Sequence, residues 1–377
     1  MRRPLMTLAL VCALSPLAGQ AALLPTRAQI DEWLGHLGGD DRFDPDKGID
    51  WGVLPGPFFN PELGLGIGAA VAGLYRPDPS DTTSQNSSIT LSGYLSSTGA
   101  FGLGVRSYSF FDNDRWRIFV TGGISDTPTY YWGQGFRAGA DDDGRQKYTA
   151  QSLRLQPEVL YRVASQTYLG VGWSLSAMHA ADVKQTDRLA QIHYGRSVFS
   201  SGPSLSLQYD SRDFVPNPRR GMLASLRYTH YTPETGSDTR FDNLTTRFST
   251  YLALDETRVL AWEIDGEFTQ GAVPWNMLPS LGGDQRMRGY YQGRYRDRNL
   301  ISSQLEYRQK LSWRHGVVAW AGAGTMGPNV RELGSSRWLP TVGVGYRFAF
   351  KPGINIRLDY GIGRGSSGFY FQVGEAF

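Results

Sequence analysis

The chain has 377 residues, a formal net charge of +3 and a mean hydropathy of −0.35. So small a charge for this length argues against nucleic acid, or any strongly anionic surface, as a partner. The 46 glycines, 20 tyrosines and 18 phenylalanines suit packed, tilted strands with aromatic belts. Because only alternate residues of such strands meet lipid, the negative hydropathy does not exclude a membrane protein.

The first residues have the pattern of a secretory signal peptide. Arg2 and Arg3 precede a short apolar run at Leu5–Leu17, and small residues stand before a predicted cleavage after Ala21. The run is too short to be a membrane-spanning helix. Cys12 lies within it, but the residue before this cysteine is not small, which disfavours a lipoprotein. The mature chain is therefore expected to contain no cysteine and no disulfide.

A short amphipathic helix is predicted next, within residues 22–48. Thr26 can cap its first turn, and the helix would run to Leu37. Its apolar face would carry Ile30, Trp33, Leu34 and Leu37. The preferred interpretation is a helix that packs on the mouth of the following domain, and the alternative is an interaction element.

From residue 49 onward the apolar residues recur with period two, which indicates β-strands. Sixteen strands are predicted, and an even number returns both ends of the domain to one side of a membrane. This pattern predicts an all-β fold, a transmembrane antiparallel β-barrel over 49–377. The predicted strands are 49–58, 62–76, 86–97, 100–111, 114–125, 147–163, 166–179, 197–211, 220–231, 241–255, 258–271, 300–313, 315–327, 338–350, 353–363 and 367–377.

The connections between these strands alternate in length. Short turns are expected on the periplasmic side and longer loops outside, although 59–61 is short for an outer loop and 77–85 long for a turn. A soluble sandwich or propeller is disfavoured because no blade-length repeat is present. The last predicted strand ends in aromatic residues, and Phe369, Phe371 and Phe377 are interpreted as a C-terminal signal for barrel assembly.

Four groups of residues resemble one family. The most specific is an Arg-Gly-Tyr motif in the long loop after the eleventh strand. The second is a turn between two strands. The third is an entry segment, Val53–Pro57 with Asn60-Pro61-Glu62 and Gly64-Leu65-Gly66, and the fourth is Arg357–Gly361. The loop motif consists of Met287, Arg288, Gly289 and Tyr290 with Gly293, and the turn motif of Asp210, Arg212, Asp213, Asn217, Pro218 and Gly221. Together they resemble the barrel of the BamA/TamA superfamily, also called bacterial surface antigen barrels.

The resemblance implies that the long loop folds into the lumen and that Arg288 docks on the barrel wall. Its implied partner is Glu306, while a second acid common in relatives is replaced here by Gly322, so either Glu306 acts alone or Asp359 assists. Physical reasoning agrees, since a buried guanidinium needs an acidic partner and Gly289 permits a close backbone approach. On spacing alone, Arg288 would be interpreted as a solvated loop charge. The turn motif is interpreted as structural.

Segment 22–48 is too short for the POTRA domains that usually precede such barrels. We therefore expect a signal peptide at 1–21, a short periplasmic segment at 22–48 and an outer-membrane barrel without POTRA domains at 49–377. The resemblance implies protein assembly or translocation, with a weak seam between the first and last strands. The alternative is a passive porin-like channel for small solutes.

Catalysis is not predicted. None of the five histidines lies in a nucleophile motif, and neither metal-ligand spacing nor a phosphate loop is found. No cofactor is therefore expected. The expected partners are outer-membrane lipids, the barrel-assembly machinery during biogenesis and an unidentified client protein.

Overall fold

The computed structural model describes residues 26–39, 43–44, 47–60 and 63–377. The expected signal peptide lies outside this part of the chain, as do Pro61 and Glu62 of the entry segment. The described residues form a sheet of sixteen antiparallel strands, so the predicted fold class and strand number are confirmed. The strands are β1 Ile49–Asn60, β2 Gly64–Tyr75, β3 Ser87–Ser96, β4 Phe101–Phe111, β5 Trp116–Tyr131, β6 Gln146–Ala164, β7 Thr167–Ala181, β8 Ser197–Asp210, β9 Gly221–Tyr231, β10 Phe241–Ala253, β11 Arg258–Gly271, β12 Asn299–Lys310, β13 His315–Gly327, β14 Leu339–Lys351, β15 Ile354–Gly363 and β16 Ser366–Val373.

Each strand pairs with its neighbours in sequence, from β1 to β16. The first and last strands of this order lie beside each other. Phe371 of β16 approaches Gly56 of β1, where a side-chain Cβ would lie 3.7 Å from the phenylalanine ring. No strand pairing joins β1 to β16 within the described residues. The sheet is therefore consistent with a sixteen-stranded barrel that has one unpaired seam.

Alternation along β8 shows which face is which. Leu205, Leu207 and Tyr209 are 63%, 48% and 38% exposed, whereas the polar residues between them are buried. Apolar side chains on the outside and polar ones inside reverse the pattern of a soluble protein and suit a barrel whose outer face meets lipid. No helix in the described residues is long and apolar enough to cross a membrane.

Turns and loops divide between two rims, as predicted. One edge, here called the turn rim, carries short connections such as 165–166 and 352–353, together with the longer 76–86 and 211–220. The opposite edge, the loop rim, carries the long connections. These are 132–145, with helix α2 Phe136–Ala140, 182–196, with helix α3 Arg188–Gln191, 232–240, 272–298 and 328–338.

The N-terminal helix spans Arg27–His36, with Thr26 and Gln29 forming a capping box at its start. Leu37 just beyond it accepts a 2.7 Å hydrogen bond from the Val53 amide of β1. Arg314, in the turn before β13, pairs with Asp31 of the helix at 3.2 Å. The helix therefore packs on the turn rim, across the ends of β1 and β13.

Candidate functional site

The long loop 272–298 is anchored by its own small core. Two residues of its first half, Ser280 and Leu281, pair with Tyr295 and Arg296 of its second half. Apolar side chains of the loop pack against those of β12, β13 and β14. This cluster consists of Leu281, Met287, Tyr290, Tyr295, Leu300, Met326 and Leu339.

Arg288 lies at the inner end of the loop, between two carboxylates. Its Nη2 lies 2.6 Å from Glu306 Oε2, and its Nη1 lies 2.6 Å from Asp359 Oδ2. The guanidinium also lies over the Trp320 ring, 3.6 Å from the ring centroid. Arg288, Glu306 and Asp359 are completely buried. The structure thus brings the loop arginine into contact with both acids considered as partners, which lie on β12 and β15.

Trp320 was not identified from the sequence as a contact of Arg288. Strand register places Glu306, Trp320, Gly343 and Gly361 in one row across β12, β13, β14 and β15. Tryptophan is the aromatic residue that attracts a guanidinium most strongly. The feature that could have identified Trp320 is its predicted position on the strand next to Glu306, since the two residues are paired across β12 and β13. Asp359 supplies the second carboxylate from one lumen position along β15.

Gly289 brings the loop backbone against β15. Its φ is +106°, and a Cβ built there would lie 2.8 Å from backbone atoms of Gly361 and Gly363. Its amide donates to the Tyr370 hydroxyl at 3.0 Å, and its carbonyl accepts from Ser366 at 2.6 Å. Only glycine allows both this φ and this approach. The contact ties the loop to β16 as well as to β15.

The remaining residues of the loop motif extend the contact. The Tyr290 hydroxyl donates to the Pro340 carbonyl at 2.7 Å, and the Thr341 hydroxyl donates to the Arg288 carbonyl. Met287 is buried in the apolar cluster. Gly293 lies outside the contact with the wall, and its carbonyl accepts from Arg296 at 3.0 Å. The loop therefore lies against lumen-facing residues of β12–β16.

A second layer of ion pairs surrounds the first. Arg308 Nε contacts Glu306 Oε1 at 2.8 Å, and Arg347 Nη1 contacts Asp359 Oδ1 at 2.6 Å. Arg347 also pairs with Glu375 at 2.7 Å. We call the whole set the arginine network. It consists of Arg288, Arg308, Arg347 and Arg357 with Glu306, Asp359, Glu375 and Asp284, four positive and four negative charges.

The predicted last strand, 367–377, is wrong at its end, since β16 stops at Val373. Gly374 adopts a φ of +91°, and the chain then turns inward. If the strand continued, Glu375 would follow Phe369, Phe371 and Val373 on the lipid face, where a carboxylate is costly. Inside the barrel it pairs with Arg347 instead.

Phe377 therefore does not belong to the aromatic strand. Its ring lies 5.4 Å from the Arg308 guanidinium, and its carbonyl accepts a 2.8 Å hydrogen bond from the same arginine. Phe369, by contrast, is 37% exposed on the outer face, and Phe371 lies at the seam. The three residues of the expected C-terminal signal are thus in different environments.

The turn motif is organised by two aspartates. Buried Asp210 pairs with Arg212 at 2.8 Å and with Arg117 of β5 at 2.7 Å. Burial lowers the pKa of Arg212, but the charge of Asp210 outweighs it, so the pKa is raised overall. Asp213 accepts the Arg219 amide at 2.9 Å. Gly221 ends the turn and begins β9.

The turn also reaches distant parts of the rim. The Asn217 amide donates to the Phe214 carbonyl within the turn at 3.2 Å, while the Pro218 carbonyl accepts from Arg308 at 3.3 Å. The partners of the turn lie on three separate parts of the sheet, so the turn crosses the barrel opening at the turn rim. Its other contacts are Val215 with Gln85 (2.7 Å) and Arg219 with the carbonyls of Asp255 (2.9 Å) and Glu256 (2.7 Å).

Metal binding is not supported by the described part of the chain, where no three His, Cys, Asp or Glu residues are grouped to hold an ion. The charged residues of the lumen are instead satisfied largely by one another. What the arrangement can do is hold a loop against one wall, and release it if the ion pairs break.

A family model, the Omp85 superfamily domain, matches residues 82–377. The structure is similar to that of BamA from Haemophilus ducreyi lacking POTRA domains 1–3, at 16% identity over 86% of this chain and 69% of that one, with a TM-score of 0.52. It is also similar to CdiB from Acinetobacter baumannii, at 12% identity over 93% of this chain and 68% of that one, with a TM-score of 0.53. CdiB from Escherichia coli is similar at 13% identity over 92% of this chain and 68% of that one, with a TM-score of 0.54. No curated protein matches the chain. At these identities the likeness is one of fold.

Proposed function

Because the chain belongs to the Omp85 superfamily, we propose that it is an outer-membrane barrel that inserts or translocates client polypeptides. The lumen loop 272–298 would be the closed gate and Arg288 its lock. We place the turn rim in the periplasm and the loop rim outside. The observation that carries this proposal is the complete burial of Arg288 between Glu306 and Asp359.

The seam between β1 and β16 would be the exit for a client or lipid. Its edges have no strand partner within the described residues, whereas every other pair of adjacent strands is joined. Pro55 and Pro57 lack amide donors, which weakens a ladder on that edge. The loop contacts β16 through Tyr370 and Ser366, so undocking the loop would also release the strand at the seam.

A cross-link across the seam tests this function. The only cysteine of the chain is Cys12, so cysteines at Gly56 and Phe371 can be joined specifically by a reducible thiol cross-linker. Cells relying on this variant should lose one or more polypeptides from the outer membrane or the medium, and recover them after reduction. The control joins Leu207 to Leu226, which face each other across β8 and β9. A seam-linked strain with an unchanged protein profile would contradict the proposal.

The gate itself is tested by electrical recording. In planar bilayers the wild-type protein should be quiet, and Arg288→Ala should conduct because the loop loses both carboxylate contacts. Arg240→Ala, an exposed arginine of another loop, removes the same charge and should stay quiet. A large wild-type conductance that Arg288→Ala leaves unchanged would favour a passive channel.

A further inference from the structure

The docked loop fills only part of the lumen. It packs on β12–β16, and at the loop rim its residues Trp275 and Tyr291 also contact the ends of β5 and β6. Other lumen-facing side chains of β3–β6 remain exposed, among them Ser92, Thr121 and Gln156. Register identifies these as inner positions, because they alternate with outward-facing apolar residues such as Leu91 and Leu153. The wall formed by β3–β6 therefore borders a water-filled chamber, which we call the hydrated half of the lumen.

Two arginines of this wall face the chamber. Arg106 of β4 lies in the same row as Thr121 and Gln156, and Arg154 of β6 lies in the adjacent inner row. Arg154 is exposed and Arg106 is partly exposed. They are two strands apart, which is roughly 10 Å across a sheet.

Neither arginine has a carboxylate oxygen within 4 Å among the described residues, in contrast to the arginine network on the other wall. From β2 to β5 the strands contain one acidic residue, Asp126. Asp126 alternates with the lumen positions and bonds to outward-facing Gln151 at 2.9 Å. No carboxylate on these four strands can therefore neutralise the two guanidinium groups.

Acids further around the lumen already have partners. Glu158 pairs with Arg227 at 2.6 Å, and Asp265 pairs with Arg247 at 2.9 Å. Glu267 is the acid whose charge acts on Arg154, and it is shared with Arg286 at 3.7 Å. The positive charges of Arg106, Arg154 and Arg286 outnumber this one carboxylate, so solvent must balance the difference. In a narrow aqueous space with low-dielectric walls, such a charge concentrates counter-ions. Guanidinium groups match oxyanions best, since their N–H donors form paired hydrogen bonds.

We propose that Arg106 and Arg154 form an anion-binding site in the hydrated half of the lumen, which takes small oxyanions such as inorganic phosphate. The site goes beyond the proposed role in polypeptide transfer and does not depend on it, because neither arginine is among the residues that dock Arg288 of the loop. It would hold anions whether the gate is closed or open.

Arginine-specific labelling tests the site in the wild-type protein. The full chain, refolded in detergent micelles, is treated with phenylglyoxal with or without phosphate at matched ionic strength, and each arginine is followed by mass spectrometry. At a phosphate concentration ten times the dissociation constant, labelling of Arg106 and Arg154 should slow about tenfold. Arg240, exposed on the loop rim, should be unaffected. Equal rates with and without phosphate, or no labelling at the two lumen arginines, would overturn the proposal.

Direct binding provides a second test. Equilibrium dialysis with radioactive phosphate should detect binding to the wild type and a loss of at least about tenfold in affinity for Arg106→Gln/Arg154→Gln, a difference of about 1.4 kcal/mol. Arg240→Gln is the control and should bind as the wild type does. Folding of each variant is checked by its heat-dependent mobility on gels. A folded double variant with wild-type affinity would show that phosphate binds elsewhere.

Discussion

Arg288 combines several interactions that a solvent-exposed arginine lacks. Both terminal nitrogens contact a carboxylate, one face covers Trp320, and the side chain has no exposure at all. Its Nε has no hydrogen-bond partner among the described protein atoms. Burial of charged groups costs free energy, so each buried charge needs its partners to offset that cost. Removal of one member of the set leaves an uncompensated buried charge.

Glu306→Ala tests that argument at the level of one residue. Removal of the carboxylate should lower the free energy of unfolding by about 3–5 kcal/mol, because the arginines it neutralises stay buried. The measurement is urea unfolding of the refolded protein in micelles, followed by tryptophan fluorescence. Glu234→Ala, which breaks an exposed ion pair with Arg240, should leave the unfolding curve unchanged. Equal effects of the two substitutions would contradict a special role for the buried pair.

Gly289→Ala should prevent docking without altering any charge. The added methyl group would lie 2.8 Å from backbone atoms of β15, which cannot move without breaking strand pairing. Trypsin should then cleave after Arg288, which is protected in the wild type. Gly365→Ala is a matched control, since Gly365 also has a positive φ but no atom within 4 Å of the added position. In the Gly365→Ala variant, the loop 272–298 should stay docked and resist trypsin as in the wild type.

At the scale of elements, β16 and the tail behind it act together. The strand has eight residues, the fewest of the sixteen. Residues 374–377 turn into the lumen, where Glu375 and Phe377 contact Arg347 and Arg308. Those two arginines in turn hold the carboxylates that bind Arg288. The tail therefore extends the ion pairs around Arg288 toward the turn rim, and it would support the proposed lock from that side.

Glu375→Ala tests this support. Arg347 would keep Asp359 but lose a charged hydrogen bond, so we expect a loss of about 1–3 kcal/mol in the free energy of unfolding. The loss should be smaller than for Glu306→Ala in the same urea experiment. Glu332→Ala, on an exposed loop, serves as the control. A free energy of unfolding equal to that of the wild type would mean that the contacts of residues 374–377 do not stabilise the barrel.

On the scale of the whole molecule, one seam distinguishes this barrel from a uniformly paired one. Unpaired strand edges open more easily than paired ones, because fewer hydrogen bonds must break. The loop, β16 and the tail all lie on the side of the seam. The proposed gate and exit are therefore next to each other, while the hydrated half of the lumen is bordered by β3–β6.

Hydrogen exchange checks the seam directly. Backbone amides of β16 should exchange at least about tenfold faster than those of β8 and β9, which corresponds to a difference of about 1.4 kcal/mol in opening free energy. The comparison is internal to one sample of refolded protein, measured by mass spectrometry of peptides. Similar protection in all three strands would indicate that β1 and β16 are closed by hydrogen bonds in solution.

The sequence by itself determined the number of strands and most of their boundaries, because alternation along a strand is a local property. Two predicted ends are wrong, since β5 is predicted to stop at 125 but continues to Tyr131, and β16 stops at Val373. It also specified the helix after Thr26 through its capping residues. The resemblance directed attention to Arg288 and Glu306. These features depend on neighbours in the chain or on a short motif.

Tertiary structure decided which wall residues meet the loop. Arg288 and Asp359 are 71 positions apart in the chain. Trp320 lies next to them only because the register of four strands places it beside Glu306 and near Asp359. The inward turn at Gly374 likewise depends on a distant residue, because Arg347 in the lumen pairs with Glu375. Such contacts depend on how the strands are arranged around the lumen, which no local sequence pattern specifies. The sequence left open whether Glu306 acts alone or Asp359 assists, and the tertiary structure shows that Arg288 contacts both.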